Sequence, residues 1–259
     1  MKARMPRRRQ SIYLLPNLFT TACVFSGFYA IVMAINGQYS HAAVAIFVAM
    51  VLDSLDGRVA RLTNTTSDFG ANYDSLSDMV SFGVAPALVG YVWALKDMGK
   101  LGWVAAFVYL AGAALRLARF NTNIGVVDKR FFQGLPSPAA AALVAGLVWL
   151  VTDWTPQGLV NLDPVTLGWV VWVLMVYAGV TMVSNVPFYS FKVLNLRRSV
   201  PFVFVALGAL VLVVVSQDPP SILFTLVLLY SVSGYAYFVW RKANGEPVSM
   251  FADDEKKEL

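Results

Sequence analysis

The amino-acid sequence predicts an all-α membrane protein, a polytopic bundle of about eight transmembrane helices. Of its 259 residues, 58% are apolar and 14% are charged, and the mean hydropathy is +0.63. Soluble globular chains are typically about 45–50% apolar and about 25% charged, so this chain has more apolar side chains than a water-facing fold accommodates. The apolar content excludes a disordered chain. Cys23 is the only cysteine, which excludes a secreted disulfide scaffold.

Eight apolar segments are candidates for membrane-spanning helices, since about 20 mostly apolar residues cross the hydrocarbon core of a bilayer. The fifth and the seventh are the shortest, so six or seven spans are the alternatives to eight. The first differs from a cleavable signal peptide, because its apolar stretch is too long and no small-residue cleavage site follows it. The predicted spans are 17–36, 41–62, 72–95, 101–120, 137–152, 165–186, 201–216 and 221–240.

Basic residues alternate between successive connections, and this pattern predicts the orientation. The basic segments are 2–9, 58–61, 116–130, 192–198 and 241–242. The connections without Lys or Arg are 37–40, 153–164 and 217–220. Only 96–100, which has two lysines, departs mildly from the alternation. Because cytoplasmic loops carry the excess of Lys and Arg, we expect both termini to be cytoplasmic.

The same basic residues account for the net charge of +5 without a nucleic-acid partner. They anchor the topology and can also hold anionic membrane lipids. We predict one membrane domain over 1–240 and a mobile, polar cytoplasmic tail over 241–259.

Four aspartates at the ends of the second and third spans are the most informative residues. Asp53 and Asp56 are three residues apart and Asp74 and Asp78 are four apart, so each pair shares one face of its helix. The connection near 63–71 is short and holds Gly70 as one of its helix breakers, so the two helices run antiparallel and the pairs face each other. Ionisable groups at membrane depth cost a few kcal/mol each and are usually functional.

Four facing carboxylates repel one another, so protonation, basic partners or bound cations must neutralise them. Oxygen ligands without a nearby His or Cys favour Mg²⁺, Mn²⁺ or Ca²⁺ over Zn²⁺, and two divalent ions that bridge phosphates would balance the charge. Gly57 and Ala60 leave space beside the cluster for a ligand or a neighbouring helix. Arg61 is suited to bind a phosphate, although Arg58 and Arg61 are equally suited to be topology anchors.

The spacing of these residues resembles the full signature of the CDP-alcohol phosphotransferase family, with eight fixed positions. That resemblance implies a six-helix core and an enzyme that displaces CMP from a CDP-linked substrate with an alcohol. It implies one metal ion on the first three aspartates, a second on the fourth with the first or the third, and the fourth as general base. The signature reads Asp53-x₂-Asp56-Gly57-x₂-Ala60-Arg61-x₈-Gly70-x₃-Asp74-x₃-Asp78.

The resemblance also implies a binding site for the CDP-linked substrate. The stretch Pro16-Asn17-Leu-Phe-Thr20 resembles the N-terminal motif of the family, which lies near the nucleotide. Together with the glycine, alanine and arginine positions of the signature and with Ser67 between them, this motif gives the candidate residues that bind CDP-diacylglycerol. The set is Asn17, Thr20, Gly57, Ala60, Arg61, Ser67 and Gly70.

Three shorter patterns are similar to the bacterial phosphatidylserine synthase branch of the family. They are Arg116-Leu-Ala-Arg119-Phe-Asn121, Phe132-Gln-Gly134-Leu-Pro136-Ser137-Pro138, and Val183-Ser184-Asn-Val-Pro187 followed by Ser190-Phe-Lys192. This likeness implies transfer of the phosphatidyl group of CDP-diacylglycerol to L-serine, giving phosphatidylserine and CMP, with Mg²⁺ or Mn²⁺. It implies a location in the bacterial inner membrane with a cytoplasmic active site. The family resemblance implies a homodimer.

Serine is a zwitterion, so its site needs a group for the carboxylate. Arg116 and Arg119 are the candidates, because a guanidinium matches that geometry, and Asn121 and Lys192 are further candidates for the serine site. The same bases would suit glycerol 3-phosphate or an inositol phosphate, which is the alternative acceptor.

An alternative of another class is a cation or proton transporter, since intramembrane carboxylates also mark ion paths. The aspartates crowd at one end of the bilayer, however, and Asp153, Asp163 and Asp218 are predicted in loops. Covalent catalysis is not expected either, because Cys23 stands alone in an apolar span and His41 is near the opposite face.

Overall fold

The computed structural model describes residues 7–63, 65, 67–122, 131–159, 162–190, 210 and 213–244, and these residues are almost entirely helical. Two short strands are the exception, β1 (Phe131–Gln133) and β2 (Pro187–Tyr189). The α-helices are α1 (Arg7–Ile35), α2 (Tyr39–Leu62), α3 (Asp68–Asp78), α4 (Ala85–Gly90), α5 (Lys100–Thr122), α6 (Ser137–Trp154), α7 (Pro164–Val183) and α8 (Pro219–Ala243).

Six helical segments among the described residues are long and apolar enough to cross a membrane, which confirms a polytopic all-α membrane bundle. They are Pro16–Ile35, Asp68–Met98, Lys100–Thr122, Ser137–Trp154, Pro164–Val183 and Pro219–Ala243. The helix α2 occupies the second predicted span but is not one of the six. Most of the seventh predicted span, 201–216, lies outside the described residues, which include only 210 and 213–216 of it. The count of eight therefore stays a prediction.

The connection between α2 and α3 is shorter than the sequence suggests. Ser67 caps α3, and its hydroxyl accepts a hydrogen bond from the N–H of Gly70 at 3.1 Å. The expectation that Gly70 breaks the helix is wrong, because the cap starts the helix earlier and places Gly70 in its first turn. The two helices are thus held antiparallel, with all four aspartates of the signature at one end of the bundle, here called the aspartate end.

The third span is one helical segment in which one π-helical turn joins α3 to α4 and a second follows α4. These turns cover Met79–Val84 and Tyr91–Leu95. Pro86 has no N–H to offer the carbonyl of Phe82, which lies four residues earlier. The hydroxyl of Tyr109 on α5 donates to that carbonyl at 2.9 Å, so the buried oxygen keeps a partner and α5 is fixed against the turn that follows α3.

Small residues set the close approach of the helices. A Cβ on Gly27 of α1 would lie 2.7 Å from the Cα of Ser81 in the first π-helical turn. One on Gly179 of α7 would lie 2.7 Å from the carbonyl oxygen of Val108 on α5. Backbones that come this close are typical of membrane helices, where van der Waals packing replaces the hydrophobic effect. The helix α6 is central, with 61% of its apolar stretch buried, against 11% for α8.

The strands β1 and β2 pair antiparallel at the aspartate end, and the sequence did not predict them. Phe132 lies opposite Phe188, and Gln133 lies opposite Pro187. The strands join the chain before α6 to the chain after α7. Two of the short sequence patterns therefore meet in space.

Three acidic residues outside the signature, among those that the structure describes, lie at helix ends. Asp163 and Asp218 cap α7 and α8, and hydrogen bonds from Thr166 lower the pKa of Asp163 below its usual value. Asp153 was predicted in a loop but lies exposed in the last turn of α6, because that helix runs two residues beyond the predicted span. These three aspartates do not continue an ion path from the aspartate end through the described part of the bundle.

We expect the substitution Gly179→Val to lower the stability of the α5–α7 contact. The added side chain would meet the backbone of α5, and overpacking of this kind typically costs about 1–3 kcal/mol. The melting temperature in detergent measures the effect. Val180→Leu is the matched control, because Val180 is 57% exposed on the same helix. Equal melting temperatures for the two variants would contradict the close contact.

Candidate functional site

The helices α2 and α3 bring three carboxylates of the signature into one group. One oxygen from each of Asp53, Asp56 and Asp74 lies within 4.8 Å of the others. Asp56 is buried, with 5% of its surface exposed, and the other two are half-buried. The two pairs of aspartates therefore face each other as predicted, because carboxylates from α2 and α3 share one cluster.

Asp78 lies one turn further along α3 and outside that group of three. Its carboxyl is in side-chain contact with that of Asp53. The Oδ1 atoms of Asp74 and Asp78 are both buried and have no hydrogen-bond partner among the described residues. Buried carboxylate oxygens normally find a donor or a cation, so the part of the chain that the structure describes satisfies the cluster only in part.

The donor set fits a divalent cation. The group of three offers carboxylate oxygens, which suit Mg²⁺, Mn²⁺ or Ca²⁺, and one of its members, Asp74, has a buried oxygen without a hydrogen-bond partner among the described residues. Asp53, Asp56 and Asp74 are the residues that would hold the ion. The second ion that the resemblance implies, on Asp78 with Asp53 or Asp74, stays a prediction.

The helix α1 supports the cluster from one side. The hydroxyl of Thr20, which is 4% exposed, donates to Oδ2 of Asp56 at 2.7 Å. The hydroxyl of Ser77 on α3 donates to the carbonyl of Thr20 at 3.3 Å. Thr20 thus fixes the orientation of the Asp56 carboxylate. The backbone of Thr20 is fixed in turn by α3, the helix that carries Asp74 and Asp78.

Three of the residues predicted for the CDP-linked substrate lie together at the start of α3. A Cβ on Gly70 would lie 3.2 Å from the hydroxyl of Ser67 and 3.8 Å from Oδ1 of Asn17. A helix N-terminus presents N–H groups and a partial positive charge, which suit a phosphate. The structure therefore brings Asn17, Ser67 and Gly70 into one place beside the carboxylates.

Gly57, Ala60 and Arg61 lie on the same stretch of α2. A Cβ on Gly57 would have no heavy atom within 4 Å, so open space lies beside the buried Asp56. Nε of Arg61 donates to the carbonyl of Gly57 at 2.9 Å, and this contact folds the exposed side chain back along its own helix. The sequence allowed either a ligand or a neighbouring helix beside Gly57. No described helix contacts this position, which favours space for a ligand.

Arg116 of α5 is the innermost of the residues predicted for serine. Its Nη1 donates to the hydroxyl of Ser137 at 2.8 Å, and its Nε is buried without a hydrogen-bond partner. Its positive charge lies close enough to Asp78 for the two side chains to attract each other. Arg116 is thereby held between the first residue of α6 and the carboxylate cluster.

Arg119 and Asn121 extend the site toward the surface, and Lys192 lies outside the described residues. Nη1 of Arg119 donates to Oδ1 of Asn185 at 3.2 Å. Nδ2 of Asn121 donates to the hydroxyl of Ser75 at 3.1 Å. Because Ser75 directly follows Asp74, this bond fixes the end of α5 to the helix that carries the cluster.

Sequence reasoning missed several polar residues around the site. Ser75 and Ser77 lie inside the signature spacing at positions that the family pattern leaves open. Ser137 and Asn185 stand within the shorter patterns, but a pattern of mixed apolar and polar residues does not show which side chain makes a contact. The helical periodicity of α3 was the one available signal, since it places Ser77 toward α1.

Comparisons with known proteins agree with the geometry. The family model for CDP-alcohol phosphatidyltransferase matches residues 13–184, which extend from α1 to the end of α7. A protein of Helicobacter pylori named CDP-diacylglycerol–serine O-phosphatidyltransferase is 36% identical over 229 residues, covering 88% of this chain and 93% of its own length. Proteins of the same name from Mycobacterium leprae and Methanocaldococcus jannaschii are 32% and 34% identical, over 86% and 75% of this chain and 74% and 82% of their own lengths.

We expect Mn²⁺ to bind to the purified protein and the binding to depend on the group of three. Asp74→Asn should weaken binding by more than about 10-fold, because it removes a charged ligand where even indirect partners change metal affinity by about 10–100-fold. Loss of the free Mn²⁺ signal in electron paramagnetic resonance measures the affinity. Asp153→Asn, far from the cluster, should bind as the unaltered protein does. Unchanged affinity in Asp74→Asn would mean that the ion is held elsewhere.

Proposed function

We propose that this chain, which belongs to the CDP-alcohol phosphatidyltransferase family, transfers the phosphatidyl group of CDP-diacylglycerol to the hydroxyl of L-serine. The products are phosphatidylserine and CMP. The observation that carries the proposal is the group of three carboxylates at one end of a membrane bundle. Similar proteins over most of the chain are named for this reaction.

The membrane bundle suits a substrate that is half lipid and half nucleotide. The acyl chains of CDP-diacylglycerol can stay in the bilayer while its diphosphate lies at the aspartate end. Asn17 and Thr20 on α1, Ser67 and Gly70 at the start of α3, and Gly57, Ala60 and Arg61 on α2 are the residues proposed to bind it. Divalent cations on Asp53, Asp56 and Asp74 would neutralise the diphosphate and stabilise CMP as a leaving group.

Asp78 is the proposed general base. A free serine hydroxyl is a weak nucleophile, so a side chain must take its proton as the bond to phosphorus forms. Oδ1 of Asp78 is buried and no described residue donates a hydrogen bond to it, so it is available to accept that proton. The serine oxygen attacks the phosphorus attached to diacylglycerol, the bond to the CMP oxygen breaks, and Asp78 holds the proton.

The acceptor site lies between α5 and α3 in this proposal. Arg116 and Arg119 are offered for the carboxylate of serine, since a planar guanidinium pairs with a carboxylate through two hydrogen bonds. Asn121 borders the site through its bond to Ser75, and Lys192 remains a further candidate. A single displacement suffices, because Cys23 is buried against Ser81 and His41 stands at the start of α2, away from the aspartate end.

The remaining parts of the proposal concern the setting of the enzyme. The distribution of Lys and Arg supports a cytoplasmic position for the aspartate end and both termini, and the membrane proposed is the bacterial inner membrane. The ion would be Mg²⁺ or Mn²⁺, and two such ions would supply the charge neutralisation. The membrane domain covers 1–240, the tail covers 241–259, and the enzyme is a homodimer.

We expect purified protein with Mg²⁺ or Mn²⁺ to release CMP from CDP-diacylglycerol when L-serine is added. A chelator should abolish the release, because the carboxylates alone cannot neutralise a diphosphate. Glycerol 3-phosphate and inositol phosphate serve as comparison acceptors. Release with a phosphorylated acceptor only would exclude serine as the substrate. If folded protein released no CMP with any acceptor, the result would contradict the proposal and favour the transporter alternative.

We expect Asp53→Asn, Asp56→Asn, Asp74→Asn and Asp78→Asn each to lose nearly all CMP release while the protein still inserts. Loss of a general base alone lowers the rate by about 10²–10⁴-fold. Size-exclusion chromatography in detergent shows whether each variant is folded, and Asp153→Asn is the control with unaltered turnover. A variant with near-normal turnover would remove that aspartate from the proposed mechanism.

A further inference from the structure

The strand pair at the aspartate end brings together two amide side chains to which the sequence patterns give no role. Asn185 immediately precedes the chain that enters β2, and Gln133 is the last residue of β1. The Oδ1 atom of Asn185 accepts two hydrogen bonds, from Nη1 of Arg119 at 3.2 Å and from Nε2 of Gln133 at 2.9 Å. Both amides therefore act, directly or through each other, on one arginine of α5.

The backbone around Asn185 is fixed on both sides. Gly134 donates its N–H to the carbonyl of Val186 at 2.9 Å, and Leu135 donates to the carbonyl of Thr181 at 3.1 Å. Gly134 has φ of +75°, and a Cβ there would collide with the carbonyl of Met182, so the chain turns closely against the end of α7. Asn185 thus presents its amide oxygen from a braced position and not from a free loop.

Arg119 lies one helical turn beyond Arg116, on the same face of α5. Arg116 is held beside Asp78, and Asn121 is bonded to the residue that follows Asp74. Arg119 accordingly stands at the outer side of the same acceptor site. A guanidinium has five N–H donors in one rigid plane, so a single bond to Asn185 sets the direction of the whole fork.

We propose that Asn185, with Gln133 behind it, is a positioning residue that orients Arg119 to receive the carboxylate of the serine acceptor. The inference rests on the proposed function, in which serine is the acceptor. An arginine that is ordered before binding loses less conformational entropy when the ligand arrives. The amide orients the guanidinium without cancelling its charge, which a carboxylate at the same position would do.

Two variants of Asn185 separate orientation from simple packing. Asn185→Leu removes the acceptor oxygen. Asn185→Asp has the same shape and still accepts both hydrogen bonds, but its negative charge competes with the serine carboxylate for Arg119. Initial rates of CMP release are measured against serine at saturating CDP-diacylglycerol, and against CDP-diacylglycerol at saturating serine.

Both variants should raise the KM for serine at least about 10-fold, the ratio expected when a hydrogen bond to a charged group is lost or misdirected. The KM for CDP-diacylglycerol should stay within about twofold. Gln133→Met, which removes the rear support, should raise the KM for serine by less. A structural role alone predicts that the isosteric Asn185→Asp variant behaves as the unaltered protein, and that outcome would overturn the proposal.

A double substitution shows whether Asn185 acts through Arg119. Arg119→Ala with Asn185→Leu should have the same KM for serine as Arg119→Ala alone, because coupled residues are not additive. Gln157→Met, which removes an exposed amide bond to Asp153 at the far end of α6, is the control with both KM values unchanged. Additive effects of the two substitutions, or equal rises in both KM values, would overturn the inference. Serine-dependent release by the unaltered enzyme would in that case still support the proposed function. Lack of serine-dependent release by the unaltered enzyme would overturn both.

Discussion

The mutual repulsion of carboxylates at the edge of a membrane is the constraint on which the rest of this structure depends. Three of them place oxygens within 4.8 Å of one another, and desolvation at this depth makes such charges costly. The chain supplies only part of the compensation, through the hydroxyl of Thr20 on Asp56 and the charge of Arg116 near Asp78. A site that is incomplete without cations and oriented donors is poised to bind a ligand that carries phosphates.

The packing of the bundle serves to hold that unfavourable arrangement together. Gly27 lets α1 lie against the backbone at Ser81, which brings Thr20 to the cluster. The hydroxyl of Tyr109 satisfies the carbonyl that Pro86 leaves without a helical partner, which fixes α5 behind the third span. The close contact of α5 and α7 then places the end of α7 next to Arg119. The apolar contacts within the membrane thus determine the geometry of the polar end.

Much of this architecture could be predicted from sequence because it is local or compositional. Apolar runs of about 20 residues show membrane helices, and spacings of three and four place Asp53 with Asp56 and Asp74 with Asp78. The helix cap at Ser67, the strand pair and the bonds of Asn185 could not be predicted, because each depends on which distant segments meet. Gly70 was misread as a breaker for the same reason, since a single glycine does not show that a cap precedes it. Asp153 was misplaced because helix ends depend on tertiary contacts.

The π-helical turn that directly follows Asp78 changes the direction in which the side chains of the third span point before and after it. A π turn holds one residue more than an α turn, and one residue corresponds to about 100° of rotation around a helix. The face that presents Asp74 and Asp78 is therefore offset from the face on which Ser81 and Phe82 pack against their neighbours. The π turn thus lets one span present its carboxylates on one face and the residues that pack against α1 and α5 on another.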